Sequence, residues 1–176
     1  GYFFHPGHTW ARLKKTGELE VGVDDFARTL IGTIDAVELP EPGTDVQKDE
    51  PVFGLKQGRH TATFLSPVSG KISAVNPSLT PESVLREPYD SGWIVRIEPH
   101  ALSEDLRNFA IGKEALQWMK GEIRRFIDFY WGRTPEVSAV GRTAQDGGLP
   151  VEGIMRNADD ATWDQFVRNF LHIAHA

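Results

Sequence analysis

The run Lys56-Gln57-Gly58-Arg59-His60 places three basic side chains on what reads as the tip of a hairpin, in a chain that is acidic overall. Strand-like residues Pro51 to Leu55 lead into it and His60 to Leu65 lead out. Ser66-Pro67 closes the second strand, because proline has no donor for a ladder and restricts the residue before it. A lysine on such a tip can carry a swinging prosthetic group, provided its uncharged primary amine can attack an activated acyl group. Arg59 offers no such amine, since a guanidinium stays protonated in proteins. Lys56 has one, but it lies a hairpin step away from the tip. Two further readings stand beside attachment: a solvated hairpin end, or a docking surface in which Lys56, Arg59 and His60 enter an acidic pocket on a partner.

Other reactive side chains group less well. His5 and His8 are three apart, and with His60 they are a conceivable three-histidine metal site. No acidic partner is fixed by spacing, and the reading adopted is that these histidines hold a strand start by hydrogen bonds, with no metal. His172 and His175 read as a solvated helix terminus. Ser69 is not in a nucleophile elbow. Gly147-Gly148 reads as linker, not as a phosphate loop after a strand. Scattered Asp and Glu show no pairing for acid–base work. No catalytic residue is expected.

The elements that would position the tip are short strands. Trp10, Arg12 and Lys14 alternate with Ala11 and Leu13, Lys15-Thr16-Gly17 turns the chain, and Leu19, Val21 and Val23 alternate again, which together read as a hairpin. Asp24-Asp25 caps a helix of a turn or two that ends at Gly32. Thr33 to Leu39 reads as a strand stopped by Pro40, Lys71 to Val75 as another, Pro81 to Leu85 as one helical turn, and Trp93 to Ile97 as the last strand. From Ala101 the texture is helical. One helix is expected over about 103–131, with Ser103 near its cap and Leu116, Met119, Ile123, Phe126, Ile127 and Tyr130 on its stripe. Residues 133–157 read as an irregular connector, and a final helix over about 159–174 carries Trp163, Phe166, Val167, Phe170 and Leu171. Trp118, Phe129 and Trp131 lie off the first stripe, so the helices are expected to cover the β part, leaving a remainder for a partner or a homodimer. The expected division is a β domain over 1–100 and a helical extension over 101–176.

Composition limits the function. With 176 residues, about 40% of them apolar, five Trp and ten Phe, the chain can bury a core. It has no cysteine, hence no disulfide, thiolate metal site or thiol nucleophile, which agrees with a cytoplasmic location. Net charge of −6 argues against nucleic acid. No run approaches the roughly 20 apolar residues of a membrane span, and no leader is evident. Because Gly1-Tyr2-Phe3-Phe4 is already strand-like, the chain is expected to be a piece of a longer one.

Ordered pieces of the chain resemble the glycine cleavage system H protein family. They are His8-Thr9-Trp10, Val21-Gly22-Val23-Asp24-Asp25-Phe26-Ala27, Gly32-Thr33-Ile34, Val37-Glu38-Leu39-Pro40 and Gly43, then Ser66-Pro67-Val68-Ser69-Gly70-Lys71-Ile72, Val75-Asn76 and Pro88-Tyr89-Asp90-Ser91-Gly92-Trp93-Ile94, with Ala110-Ile111-Gly112-Lys113-Glu114-Ala115 similar to the closing helix. The resemblance implies a mainly β lipoyl-domain fold, a flattened antiparallel β-barrel or sandwich (a barrel-sandwich hybrid), followed here by C-terminal helices. It also implies a lipoyl-lysine seven residues before Ser66, where this chain has Arg59, and a glutamate three residues earlier, where it has Lys56. The expected function is therefore a non-catalytic scaffold, adaptor or regulatory subunit of a multienzyme complex, with no cofactor. The alternative is a lipoate carrier modified at Lys56 that takes the aminomethyl group from a decarboxylase to a folate-dependent aminomethyltransferase. A more distant third is an enzyme subunit whose chemistry lies in a missing N-terminal part.

Overall fold

The computed structural model describes residues 1–132 and 152–172. Among these residues, nine strands form two antiparallel sheets. Strands β1 (Tyr2–Phe4), β2 (Thr9–Leu13), β3 (Leu19–Val23), β9 (Val95–Pro99), β8 (Gly70–Val75) and β5 (Asp45–Val46) make the larger sheet in that order. Strands β4 (Ala36–Glu38), β6 (Pro51–Gln57) and β7 (His60–Leu65) make the smaller. Val21, Ile72 and Ile97 of one sheet and Leu55, Ala62 and Phe64 of the other are buried in a shared core, as expected where alternate residues of each sheet point inward. The two sheets make a β-sandwich; among the described residues no closed barrel forms.

Helix α1 (Asp25–Ile31) starts where the Asp24 side chain accepts the Ala27 N–H and ends at Gly32, whose φ of +77 suits glycine. Helix α2 (Pro81–Arg86) has Thr80 as a capping-box residue and proline in its first turn. The strand expected over Thr33 to Leu39 is shorter: Ala36 to Glu38 pair in register with β6, and Asp35 adds a backbone bond to the Lys56 carbonyl just before it. Conversely, β6 runs two residues further than expected, since Lys56 pairs with Thr61 and Gln57 with His60. The last strand begins at Val95 rather than Trp93.

The long helix expected from residue 103 is broken. Helix α3 (Leu102–Asp105) passes into a 3₁₀ turn, Leu106–Asn108, and the chain is extended at Phe109 and Ile111 before α4 (Gly112–Trp131). The extended backbone lets Phe4 donate to the Ala110 carbonyl at 3.1 Å, so the break is where the chain bridges to β1. Ser103 lies inside α3 and Ala101 stands at its cap without a side-chain bond. The expected final helix is α5 (Asp160–Phe170), capped by Asp159 and ending at Phe170, with His172 exposed just beyond at φ +60. Of the expected connector, 133–151 lies outside the described residues and Ile154–Asn157 is a 3₁₀ turn; Gly147, Gly148 and His175 also lie outside them.

Both long helices join the core. Phe126 of α4 and Trp163, Phe166, Phe170 and Leu171 of the α5 region are at most 2% exposed. The off-stripe aromatics are used as well. Trp118 stacks on His8 and Phe129 packs edge-on against Phe170, while Leu116, 66% exposed, remains at the surface.

Candidate functional site: the hairpin tip under the C-terminal helix

The tip is a two-residue turn, because Gln57 and His60 are the last pair of the β6–β7 ladder. Gly58 takes φ +57, a left-handed value that a non-glycine residue adopts only at a cost. Asp35 accepts the Gly58 N–H at 2.6 Å. Gln57, almost buried, donates to the Ile31 and Thr33 carbonyls at 2.7 and 2.6 Å, tying the root of the tip to the end of α1. The turn is therefore held on two sides before any partner is considered.

The three basic residues have different surroundings. Lys56 Nζ lies 3.0 Å from Glu38 on the neighbouring strand, both side chains about half exposed. Arg59 Nε lies 2.9 Å from Asp160 Oδ1 at the start of α5, yet 74% of the Arg59 side chain is exposed. His60 Nε2 shares that carboxylate oxygen at 2.7 Å, and its ring is stacked on Trp163. Trp163 in turn donates its indole N–H to the Thr61 carbonyl at 3.1 Å. The hydrogen bond from His60, with the charge of Arg59 beside it, holds the Asp160 carboxyl below its usual range. The acidic group that meets the tip is thus the chain's own.

Chemically, the turn presents a guanidinium and a largely covered imidazole; the one primary amine of the run, Lys56, reaches across to Glu38 on β4. Nothing there can form an amide with an acyl group at position 59. The frame below is ordered. Ser66 Oγ donates to the Val68 carbonyl at 2.7 Å, and Ser69 Oγ accepts the Lys48 N–H, which gives Ser69 a turn-holding part.

His5 and His8 do not join His60. His5 is bonded to Asp49, and His8 to Asp24 and Glu122; among the described residues no group of three such side chains gathers to hold a metal ion. Sequence reasoning missed Asp160 and Trp163 as parts of the site. Their motif reads as a helix cap and a core stripe, and nothing local shows that they meet a tip a hundred residues earlier.

Comparison with known proteins gives one answer. The profile of the Glycine cleavage H-protein family matches residues 2–122. A glycine cleavage system H protein of Hydrogenovibrio crunogenus is 40% identical over 99 residues, which are 55% of this chain and 77% of that protein. A probable one of Pyrococcus abyssi is 32% identical over 122 residues, 68% of this chain and 90% of that protein. In fold, the crystal structure of a glycine cleavage system H protein from Mycobacterium marinum superposes with a TM-score of 0.56 at 22% identity, over 69% of this chain and 95% of that one. The match ends inside α4, so the end of α4 and α5 lie beyond the matched region. This chain belongs to the glycine cleavage H-protein family.

Proposed function

We propose that this chain is an H-protein-like subunit without a swinging arm, a non-catalytic scaffold or adaptor that meets protein partners of a multienzyme complex in the cytoplasm. The observation that carries the reading is Arg59: at the position from which the family resemblance would hang lipoate stands a guanidinium, paired with the chain's own C-terminal helix. The module over 1–100 supplies the inherited docking frame, and α4 and α5 of the extension over 101–176 cover part of it. Lys56 and Arg59, with 46% and 74% of their side chains exposed, remain available to a partner, whereas His60, at 14%, is committed to α5. Ile111, just before α4, and Leu116 on it, both exposed, are where a second copy would meet the chain; light scattering of wild type and Leu116→Glu reads that directly.

The second reading, a lipoate carrier modified at Lys56, is supported by the half-exposed Lys56 amine. Intact mass of protein from a lipoylation-competent host, followed by peptide mapping, separates the two. Unmodified protein is the expected result. A lipoyl increment on Lys56 overturns the armless reading. For docking, Lys56→Ala with Arg59→Ala is expected to weaken capture of glycine-cleavage components, and undiminished capture removes the tip from the interface.

A further inference from the structure

Two neighbouring histidines are held in opposite protonation states by what surrounds them. His5 Nδ1 accepts the Gly7 N–H at 2.9 Å, so that nitrogen bears no proton. Its Nε2, 2.6 Å from Asp49, carries the ring's single N–H, and the ring is neutral. His8 faces a carboxylate at each nitrogen: Asp24 Oδ2 at 2.7 Å from Nδ1 and Glu122 Oε2 at 3.2 Å from Nε2. A neutral imidazole has one N–H, so one of these contacts would set a ring lone pair against a carboxylate lone pair. Only the imidazolium donates to both.

The site is closed. His8 and Asp24 are 0% exposed, and Glu122 is 5% exposed. The ring is sandwiched between Phe26 of α1, with centroids 4.2 Å apart, and Trp118 of α4, at 5.0 Å. Each carboxylate has a second fixed donor: Ala27 N–H on Asp24, and Arg125 on Glu122. Beyond α5, His172 is a further titratable group nearby; partial loss of solvent around its ring, with the charges of His8 and Arg125, lowers its affinity for a proton. His8 also takes φ +66, a left-handed backbone that is costly for a non-glycine residue and persists where its surroundings over-determine it. Asp24 and His8 belong to the β module, and Glu122, Arg125 and Trp118 to the helical extension.

We infer that the proton on His8 is a structural joint between the β module and the helical extension, and that its loss loosens the extension, including the α5 cover over Arg59 and His60. With the proton, the buried groups His8, Asp24 and Glu122, taken with the half-exposed Arg125, are neutral. Without it, the set holds one uncompensated negative charge, which low-dielectric surroundings penalise. The direction of titration agrees: burial alone would lower the His8 affinity for a proton, but the charge and hydrogen bond of Asp24, together with Glu122, outweigh it and raise it above 6.5. A raised folded-state value makes this contribution complete below the unfolded pKa and removes it as pH rises through the folded one.

The test uses the full chain. Nitrogen-15 spectra of the His8 ring are expected to show two N–H protons at pH 7; a neutral His8 at that pH overturns the inference. Thermal unfolding of wild type is expected to lose stability on the alkaline side. In Glu122→Gln, whose amide satisfies a neutral ring, that slope is expected to flatten. An identical alkaline slope in the two proteins also overturns it, and the ring spectra decide the matter on wild type even if the variant folds poorly.

Discussion

Trp163 lies flat on His60, with ring centroids 4.8 Å apart and planes 13° from parallel. One residue belongs to the β6–β7 hairpin, within the family match, the other to a helix beyond it. Four all but fully buried side chains of the α5 region, Trp163, Phe166, Phe170 and Leu171, anchor this contact. At about 1.5–3 kcal/mol for each such side chain, gross burial is on the order of 10 kcal/mol, so α5 is part of the fold and not a flap opening at thermal energies. On the proposed docking reading, the face left open is the outer side of Lys56 and Arg59.

Trp163→Ala is therefore expected to destabilise the whole protein, not just the extension. Removing a buried large aromatic costs about 3–5 kcal/mol, read as a lower urea midpoint. Trp163→Phe keeps a ring over His60 but leaves the Thr61 carbonyl without its indole donor, which is expected to cost about 1 kcal/mol. Wild-type stability in Trp163→Ala would mean that α5 is not anchored as described.

Gly22 on β3 is required by Trp10 on β2. A Cβ at position 22 would lie 2.7 Å from the indole, and the ring has no room to yield because it is 0% exposed, beneath Tyr2 and Tyr89. Gly22→Ala is expected to cost about 1–3 kcal/mol by overpacking. The indole Nε1 is buried with no partner among the described residues. Trp10→Phe removes that orphan donor and shortens the ring, so the double variant is expected to be more stable than the sum of the singles allows. Strict additivity would show that the two do not touch in solution.

The β module was largely legible because its signals are local. Alternation of Leu19, Val21 and Val23 with polar residues, Asp24 before Phe26, and Thr80-Pro81 before a helical turn each dictate their own geometry. What could not be read depends on distant partners. Glu20 sits on the polar phase of its strand yet is buried, because Arg12 and Arg96 from the strands on either side close over it. The break before α4 follows from the bridge of Ala110 to β1, which no helical periodicity reports. At the tip, Arg59 was readable as the wrong residue for an amide. That its counter-charge is Asp160 was not, since the acid had already found a sufficient local role in the cap of α5.

Glu20 gives an acid-side prediction. Its carboxylate, 2% exposed, accepts from Arg12 at 2.6 Å and Arg96 at 3.0 Å, with Lys14 at 3.3 Å. Burial alone would raise its pKa, but the hydrogen bonds from Arg12, Arg96 and Lys14 outweigh burial and hold it below 4.5. A depressed folded-state value gives stability that is present above the unfolded pKa and lost as pH falls through the folded one. Glu20→Gln is expected to lose about 1.5–3 kcal/mol at neutral pH and to unfold with less pH dependence below 4.5 than wild type. Equal acid slopes in the two proteins would show that another carboxylate controls acid unfolding.

Arg59→Lys puts a primary amine on a tip whose frame, from Ser66 to Gly70, is intact. The side chain at this position is 74% exposed, so a modifying enzyme can reach it despite α5. Lysine can also keep the exposed pair with Asp160, which leaves stability within about 0.5 kcal/mol of wild type, as for most surface substitutions. In a lipoylation-competent host, Arg59→Lys is expected to gain a lipoyl increment that maps to position 59, while wild type gains none. Arg59→Lys together with Lys56→Ala is expected to behave the same, because Lys56 lies on the strand, paired with Glu38, and not on the turn. If neither variant is modified, adding Asp160→Ala asks whether the contact with α5 is the obstacle. A lipoyl group that appears only with the triple change would show that the C-terminal helix, and not the residue at position 59 alone, keeps this tip bare.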